Sequence, residues 1–187
     1  MNILVLWPPH VPSYFNGGHH LPLFMVAGHL RRQAGVEHVT CVDAGALNAT
    51  WKDIATRLVD TPYDVVAVMN EFGNADAAAT LVRYVRQLRP DAKIVTFGRL
   101  SSEVPSLFRR LGFDAIVERG DYESGVAAYV RSIVEAGNGV ASDAPLAGTS
   151  VFRDGAWREA GEAVFLDAAD WVFPDISEIP YDAYDRV

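Results

Sequence analysis

Short apolar runs alternate along this chain with longer stretches whose apolar residues recur at helical spacing. "NILVLW" (residues 2–7) reads as a strand covered on both faces, because it has no polar alternation. "LPLFMVAGHLRRQAG" follows as a helix expected to end at Gly35, where a left-handed cap fits. "HVTCVDA" is a second strand. "TWKDIATRLVD" is a helix with Thr50 as N-cap and Asp53 in the capping-box position. "YDVVAVMN" is the third strand. In "NADAAATLVRYVRQLRP" Asn74 can cap a helix, Leu81, Tyr84, Val85 and Leu88 line one face, and Pro90 stops it. "AKIVTFG" is the fourth strand and "SSEVPSLFRRLG" a short helix ending at Gly112. "FDAIVERG" and "DYESGVAAYVRSIVEAG" are the fifth strand and its helix.

Nearly all-apolar strands joined by helices predict a parallel sheet covered on both faces. Right-handed crossovers make it doubly wound. Five such units predict the flavodoxin-like strand order 2-1-3-4-5. This regular part ends near Gly137, so residues 1–137 are expected to form one domain. Residues 138–187 read as a linker "GNGVASDAPLAG", a small hairpin "SVFRDGAWRE" turning at Asp154-Gly155, and the tail "PDISEIPYDAYDRV".

Composition narrows the functional classes. The net charge of −8 disfavours nucleic acid as the main partner. Arg83, Arg86 and Arg89 fall at a helix end, where positive charge suits the dipole. The single cysteine, Cys41, excludes a disulfide framework and any all-cysteine metal site. It sits in an apolar strand and reads as a small core residue. "MNILVLWPP" lacks the basic start of a signal peptide, and no run reaches membrane-spanning length. The compartment expected by default is a reducing cytoplasm.

In an open parallel sheet, ligands sit outside the carboxyl ends of the strands. The loops there are "PPHVPSYFNGGHH", "DAGALN", "NEFGN", "GRLSSE" and "RGDYE". A dinucleotide fingerprint needs glycines after the first strand, where Pro8 and Pro9 stand instead. No P-loop motif occurs. A phosphorylation receiver needs a carboxylate pair after the first strand and an Asp after the third, where Asn70-Glu71 stands. His10, His19 and His20 have no neighbouring carboxylate or thiolate in that loop, so they make a poor metal set. Ser101 and Ser102 read as helix N-caps or as small groups admitting a polar ligand arm. Asp121 and Glu123 stand at a helix N-terminus, with Arg119 as ion-pair partner or ligand contact.

Taken in order, these features resemble the cobalamin-binding N-terminal domain of cobalamin-dependent radical S-adenosylmethionine enzymes. The likeness rests on "ILVLWPP", "LPLFMVAGHLRRQAG", "YDVVAVMN", "FGRLSSEVP", "RGDYES", "DGAW" and "PDISEIPYDAYD". It implies a Rossmann-like cobalamin-binding domain over residues 1–137. Residues 138–187 then become a connector toward a radical domain that this chain does not contain. The implied cofactor is methylcobalamin or hydroxocobalamin, with the base off the metal and no protein ligand to cobalt. The Asp-x-His-x-x-Gly signature of histidine-ligating cobalamin domains is absent. The implied contacts are Pro8, Pro9, Asn16, Gly17, Gly18 and His19 in the first loop. Asn70, Glu71 and Phe72 would lie under the corrin. Gly98, Arg99, Leu100, Ser101 and Ser102 would border the nucleotide arm, with Arg119, Gly120 and Asp121 in the fifth loop. Two departures stand out: Phe97-Gly98-Arg99 where the family has Gly-Gly, and Asp121-Tyr122 where it has Glu-Gly.

The C-x-x-x-C-x-x-C motif that holds a radical domain's cluster is missing. S-adenosylmethionine and a [4Fe–4S] cluster therefore belong to a partner domain, in cis or on another chain. No catalytic residue is expected here. The parent reaction implied is methyl transfer, or a related radical step, in small-molecule biosynthesis. The tail is expected to be extended and poorly packed on the surface. Two other readings stand beside this one: a non-enzymatic interaction domain, and the N-terminal half of a two-domain glycosyltransferase.

Overall fold

The computed structural model describes residues 1–9, 20–139 and 143–184. Five parallel strands form its centre: β1 (Asn2–Trp7), β2 (His38–Asp43), β3 (Val65–Asn70), β4 (Lys93–Gly98) and β5 (Ala115–Val117). Their order is 2-1-3-4-5, as five β–α units predict. The hairpin strands β6 (Thr149–Arg153) and β7 (Ala156–Arg158) continue the same sheet antiparallel, with Ala115 opposite Val151. Asp154 and Gly155 have φ of 52° and 79°, the twist a two-residue hairpin turn needs.

Alternate residues of each strand feed two cores. Ile3, Val5 and Trp7 face the helices α1 (Leu21–Leu30) and α6 (Tyr122–Gly137). Leu4 and Leu6 face α2 (Trp51–Asp60), α3 (Ala75–Leu88) and the short α5 (Pro105–Arg109). Val151, Ile179 and Tyr184 join the first core, so the segment after residue 137 shares the interior of the segment before it. Cys41 is half-buried against that core, and burial pushes its thiol pKa up. Among the described residues no helix is long and apolar enough to cross a membrane.

The capping box of α2 forms as expected: Thr50 Oγ1 accepts from Asp53 N at 3.2 Å, and Asp53 Oδ2 accepts from Thr50 N at 2.8 Å. Thr50→Ala is expected to lower the melting midpoint by about 2–4 °C, readable by circular dichroism. Arg89 ties the end of α3 to that helix by donating to the carbonyls of Leu58 and Val59.

Four local expectations are corrected. Helix α1 stops at Leu30, and the chain turns on to Gly35, whose φ is 79°. Asn74 does not cap α3 with its side chain; its Oδ1 accepts instead from Glu71 N at 3.0 Å. The helix predicted across "SSEVPSLFRRLG" is two pieces, α4 (Arg99–Glu103) and α5, because Val104 precedes a proline and is driven out of the helical region to φ −134°. The tail is not loose throughout. A 3₁₀ turn (Ile176–Glu178) and the single helical turn α7 (Tyr181–Tyr184) end it, and both Ile179 and Tyr184 are buried.

Candidate functional site

The site is built on the carboxyl edge of the sheet, where β3, β4 and β5 come close together. Gly98 carries a φ of 134°, and a Cβ on it would stand 1.9 Å from the carbonyl oxygen of Asn70. Only glycine lets β4 pass β3 at that distance. Asn70 is fully buried and fully used. Its Nδ2 donates to Thr96 Oγ1 at 2.7 Å and Phe97 O at 2.9 Å, and its Oδ1 accepts from Ser101 N at 2.8 Å. The Ser101 hydroxyl lies 3.0 Å from the carbonyl of Gly98 and 3.2 Å from that of Val117. Neither serine caps a helix: Ser102 Oγ also donates to Gly98 O, at 3.1 Å. Asn70, Gly98 and Ser101 thus clamp three strand ends together, and their polar groups point inward.

Above this clamp lies a rim. Arg99 Nε stands 3.7 Å from Glu71 Oε2, and its guanidinium lies 6.0 Å from the centre of the Phe72 ring. Phe72 is exposed, and Leu100 is half-buried behind it against the α2–α3 core. The rim offers one exposed apolar ring and a paired charge.

Beside the rim opens a cleft of about 460 Å³ between α1 and the loop from β5 to α6. Pro22 and Met25 of α1 form one wall. Ser102, Tyr122 and the loop residues Arg119, Gly120 and Asp121 form another. Tyr122 packs on Phe97 at 5.8 Å; burial and the nearby Glu71 push its phenol pKa up, so it stays a neutral donor. Burial, with Asp121 nearby, also raises the Glu123 carboxyl above its ordinary value. Arg119 is exposed at the mouth and makes no ion pair among the described residues. Asp121 does not pair with it; its Oδ2 accepts from Leu166 N at 2.7 Å, on the segment after the hairpin.

A third cluster lies at the ends of β1 and β2, beside the buried Pro8 and Pro9. Asp43, fully buried, accepts from Ala46 N at 2.9 Å through Oδ1. His20 Nδ1 lies 2.8 Å from its Oδ2, and the Tyr184 phenol donates to the same oxygen. The His20 ring stacks on Trp7 at 3.9 Å. Sequence reasoning missed Asp43 and Tyr184. The one local signal was a carboxylate three residues before an amide it can accept, the mark of a side-chain turn after a strand. Asn16, Gly17, Gly18, His19 and His10 lie outside the described residues. Among the described residues no group of three or more His, Cys, Asp or Glu is placed to hold a metal ion.

A doubly wound parallel sheet, extended at one edge by an antiparallel hairpin and strapped by the segment that follows, is the class this fold defines. A scan against protein-family models finds no match, and a search of curated proteins finds none. Solved structures do resemble it. The cobalamin-dependent S-adenosylmethionine radical enzyme OxsB with aqua-cobalamin bound aligns over 99% of this chain, at a TM-score of 0.74 and 17% identity. The radical S-adenosylmethionine methyltransferase TsrM from Kitasatospora setae, with cobalamin and a [4Fe–4S] cluster bound, aligns over 92% of it, at a TM-score of 0.63 and 18% identity. The alignment covers 25% of OxsB and 31% of TsrM. At these identities the likeness is one of fold, and with OxsB it extends over nearly the whole chain.

Proposed function

We propose that this chain is the cobalamin-binding module of a cobalamin-dependent radical S-adenosylmethionine enzyme. The observation that carries the reading is the cleft of about 460 Å³ beside the rim of Glu71, Phe72 and Arg99 on the carboxyl edge of the sheet. Its volume lies in the range of small-molecule sites, roughly 300–1,000 Å³. Its chemistry fits the cofactor's nucleotide arm: apolar walls from α1, hydroxyls at Ser102 and Tyr122, and the exposed Arg119 for a phosphodiester. The rim of Glu71, Phe72 and Arg99 fits the broad face of a corrin, which needs a platform and no phosphate cradle.

Pro8 and Pro9, at the end of β1, would flank the corrin. The family resemblance alone adds Asn16, Gly17, Gly18 and His19 of the first loop to that flank. Leu100 and Ser102 line the approach to the arm, while Asn70, Gly98 and Ser101 shape it from beneath. Gly120 lets the fifth loop turn beside it, with φ of 80°. Cobalamin, once bound, supplies a cobalt centre that accepts and gives up a methyl group. No residue of the rim is a good nitrogen ligand, which supports a cofactor held without histidine, and a separate cleft for the nucleotide arm would draw its base away from cobalt, which supports a base-off state. The radical domain, with its cluster and S-adenosylmethionine, would lie in cis or on another chain, and the reaction would be methyl transfer or a related radical step.

The test is direct. The protein is mixed with hydroxocobalamin, freed of unbound ligand by gel filtration, and its visible spectrum recorded. Co-elution with a base-off spectrum is the expected result. A colourless protein peak would end the reading; a base-on spectrum would end its base-off part.

A further inference from the structure

The segment after the hairpin crosses the molecule as a strap, and it is pinned at both ends. At one end Asp121 holds it twice: Asp121 N donates to Val164 O at 3.0 Å, and Leu166 N donates to Asp121 Oδ2 at 2.7 Å. The fit is close, since a Cβ on Gly120 would come within 2.7 Å of Val164 O. At the other end the strap lies on α1. A Cβ on Gly28 would already touch Phe173 O and the Val172 side chain, both at 3.4 Å. Beyond that point Arg31 pairs with Glu178, and Tyr184 reaches Asp43. Leu166 at the first pin and Trp171 between the pins line the cleft and complete its wall.

Trp171 is 53% exposed, an unusual position for a large ring held on a fastened segment. It lines the same cleft as Met25 and Tyr122. Aromatic and thioether groups together suit a flat heteroaromatic ring, by stacking and by sulfur–ring contact. Arg119 at the mouth suits an anionic phosphodiester. The complementary ligand is therefore a heteroaromatic base carried on a sugar phosphate.

We infer that the strap is part of the ligand site, and that Trp171 determines its selectivity for the base of the nucleotide arm. This rests on the cobalamin reading above. Trp171 is expected to act on the nucleotide arm without acting on the corrin.

The experiment compares two ligands on the full chain: cobalamin, and cobinamide, which has the same corrin but no nucleotide. Affinities are measured for the wild type, Trp171→Ala and Trp171→Phe, with a melting curve for each. Trp171→Ala should bind cobalamin about tenfold more weakly, the scale of one lost base–aromatic stack. Its affinity for cobinamide should be unchanged, and Trp171→Phe should recover most of the loss. Wild-type binding with cobalamin affinity unchanged in Trp171→Ala would overturn this inference alone. So would an equal loss for both ligands, which would make Trp171 merely structural. A wild type that binds neither ligand would overturn the cobalamin reading and this inference with it.

Discussion

Gly98→Ala is expected to remove a large share of the stability of this protein. The added methyl would stand 1.9 Å from Asn70 O and within 2.9 Å of Asn70 N. Neither backbone can yield easily. Asn70 and Gly98 are register partners of β3 and β4, and the Asn70 side chain is held by three further hydrogen bonds in a fully buried setting. Two costs combine. A side chain at φ of 134° strains the backbone by about 1–3 kcal/mol. Overpacking between paired strands adds about 1–3 kcal/mol. A domain whose whole stability is about 5–15 kcal/mol loses a large share of it. Gly155→Ala is the matched control: its φ is 79°, but its Cβ would meet nothing within 4 Å. It should lower the melting midpoint by about 2–4 °C. Gly98→Ala should lower it by about 10 °C or more, or leave no cooperative transition. Equal shifts in the two variants would show that the close approach carries no energy. The result also bears on function: a ligand-binding defect in a Gly98 variant reports the collapse of the clamp, whereas Trp171 on the strap can be changed without touching it.

The strand order was legible because each strand is an unbroken apolar run and each connection has helical spacing, which leaves few topologies open. The capping box of α2 was legible because it is local, three residues from end to end. What was missed depends on contacts across long sequence distances. Tyr184 and Asp43 are 141 residues apart, so nothing near Tyr184 marks it as a core residue. Asp121 sits where a helix N-terminus welcomes a carboxylate, which hid its actual partner, the amide of Leu166. One signal was present in plain view. "LPLFMVAGHL" has no polar face, and a helix that is apolar all round must be covered all round. The sheet covers one side of α1 and the strap lies across it at Gly28, so the apolar helix already called for a packed tail.

Tyr184→Phe is expected to loosen that tail in a pH-dependent way. Burial alone would push the Asp43 carboxyl pKa up. The hydrogen bonds from His20, Ala46 N and Tyr184 outweigh it and hold the pKa below the ordinary value. A carboxyl depressed in the folded state stabilises it fully at pH values above the unfolded pKa, about 3.9. That contribution is lost as the pH falls through the lower, folded pKa. The Tyr184 phenol, pushed up by burial and by its bond to Asp43, remains a donor across this range. Removing its hydroxyl takes away one of the three bonds, at a cost of about 1–3 kcal/mol near neutral pH, because it is a buried bond to a charge. The melting deficit of Tyr184→Phe relative to wild type should therefore be largest at pH 6–7 and shrink in acid, as the pH falls below the ordinary carboxylate value and through the lower folded pKa of Asp43, where the carboxylate it served becomes protonated. Asp43→Ala strands His20, Ala46 N and Tyr184 together and should cost more, about 3–4 kcal/mol. In the double variant the phenylalanine should add little, because its partner is already gone. A Tyr184→Phe deficit that stays constant from pH 7 to pH 3, or that simply adds to that of Asp43→Ala, would mean that the tail is held by packing around Ile179 alone. The carboxylate that grips Tyr184 also holds His20, the first described residue after the loop that follows Pro8 and Pro9. The end of the strap and the start of α1 therefore share one acidic anchor, and a change that weakens it acts on both flanks of the proposed site.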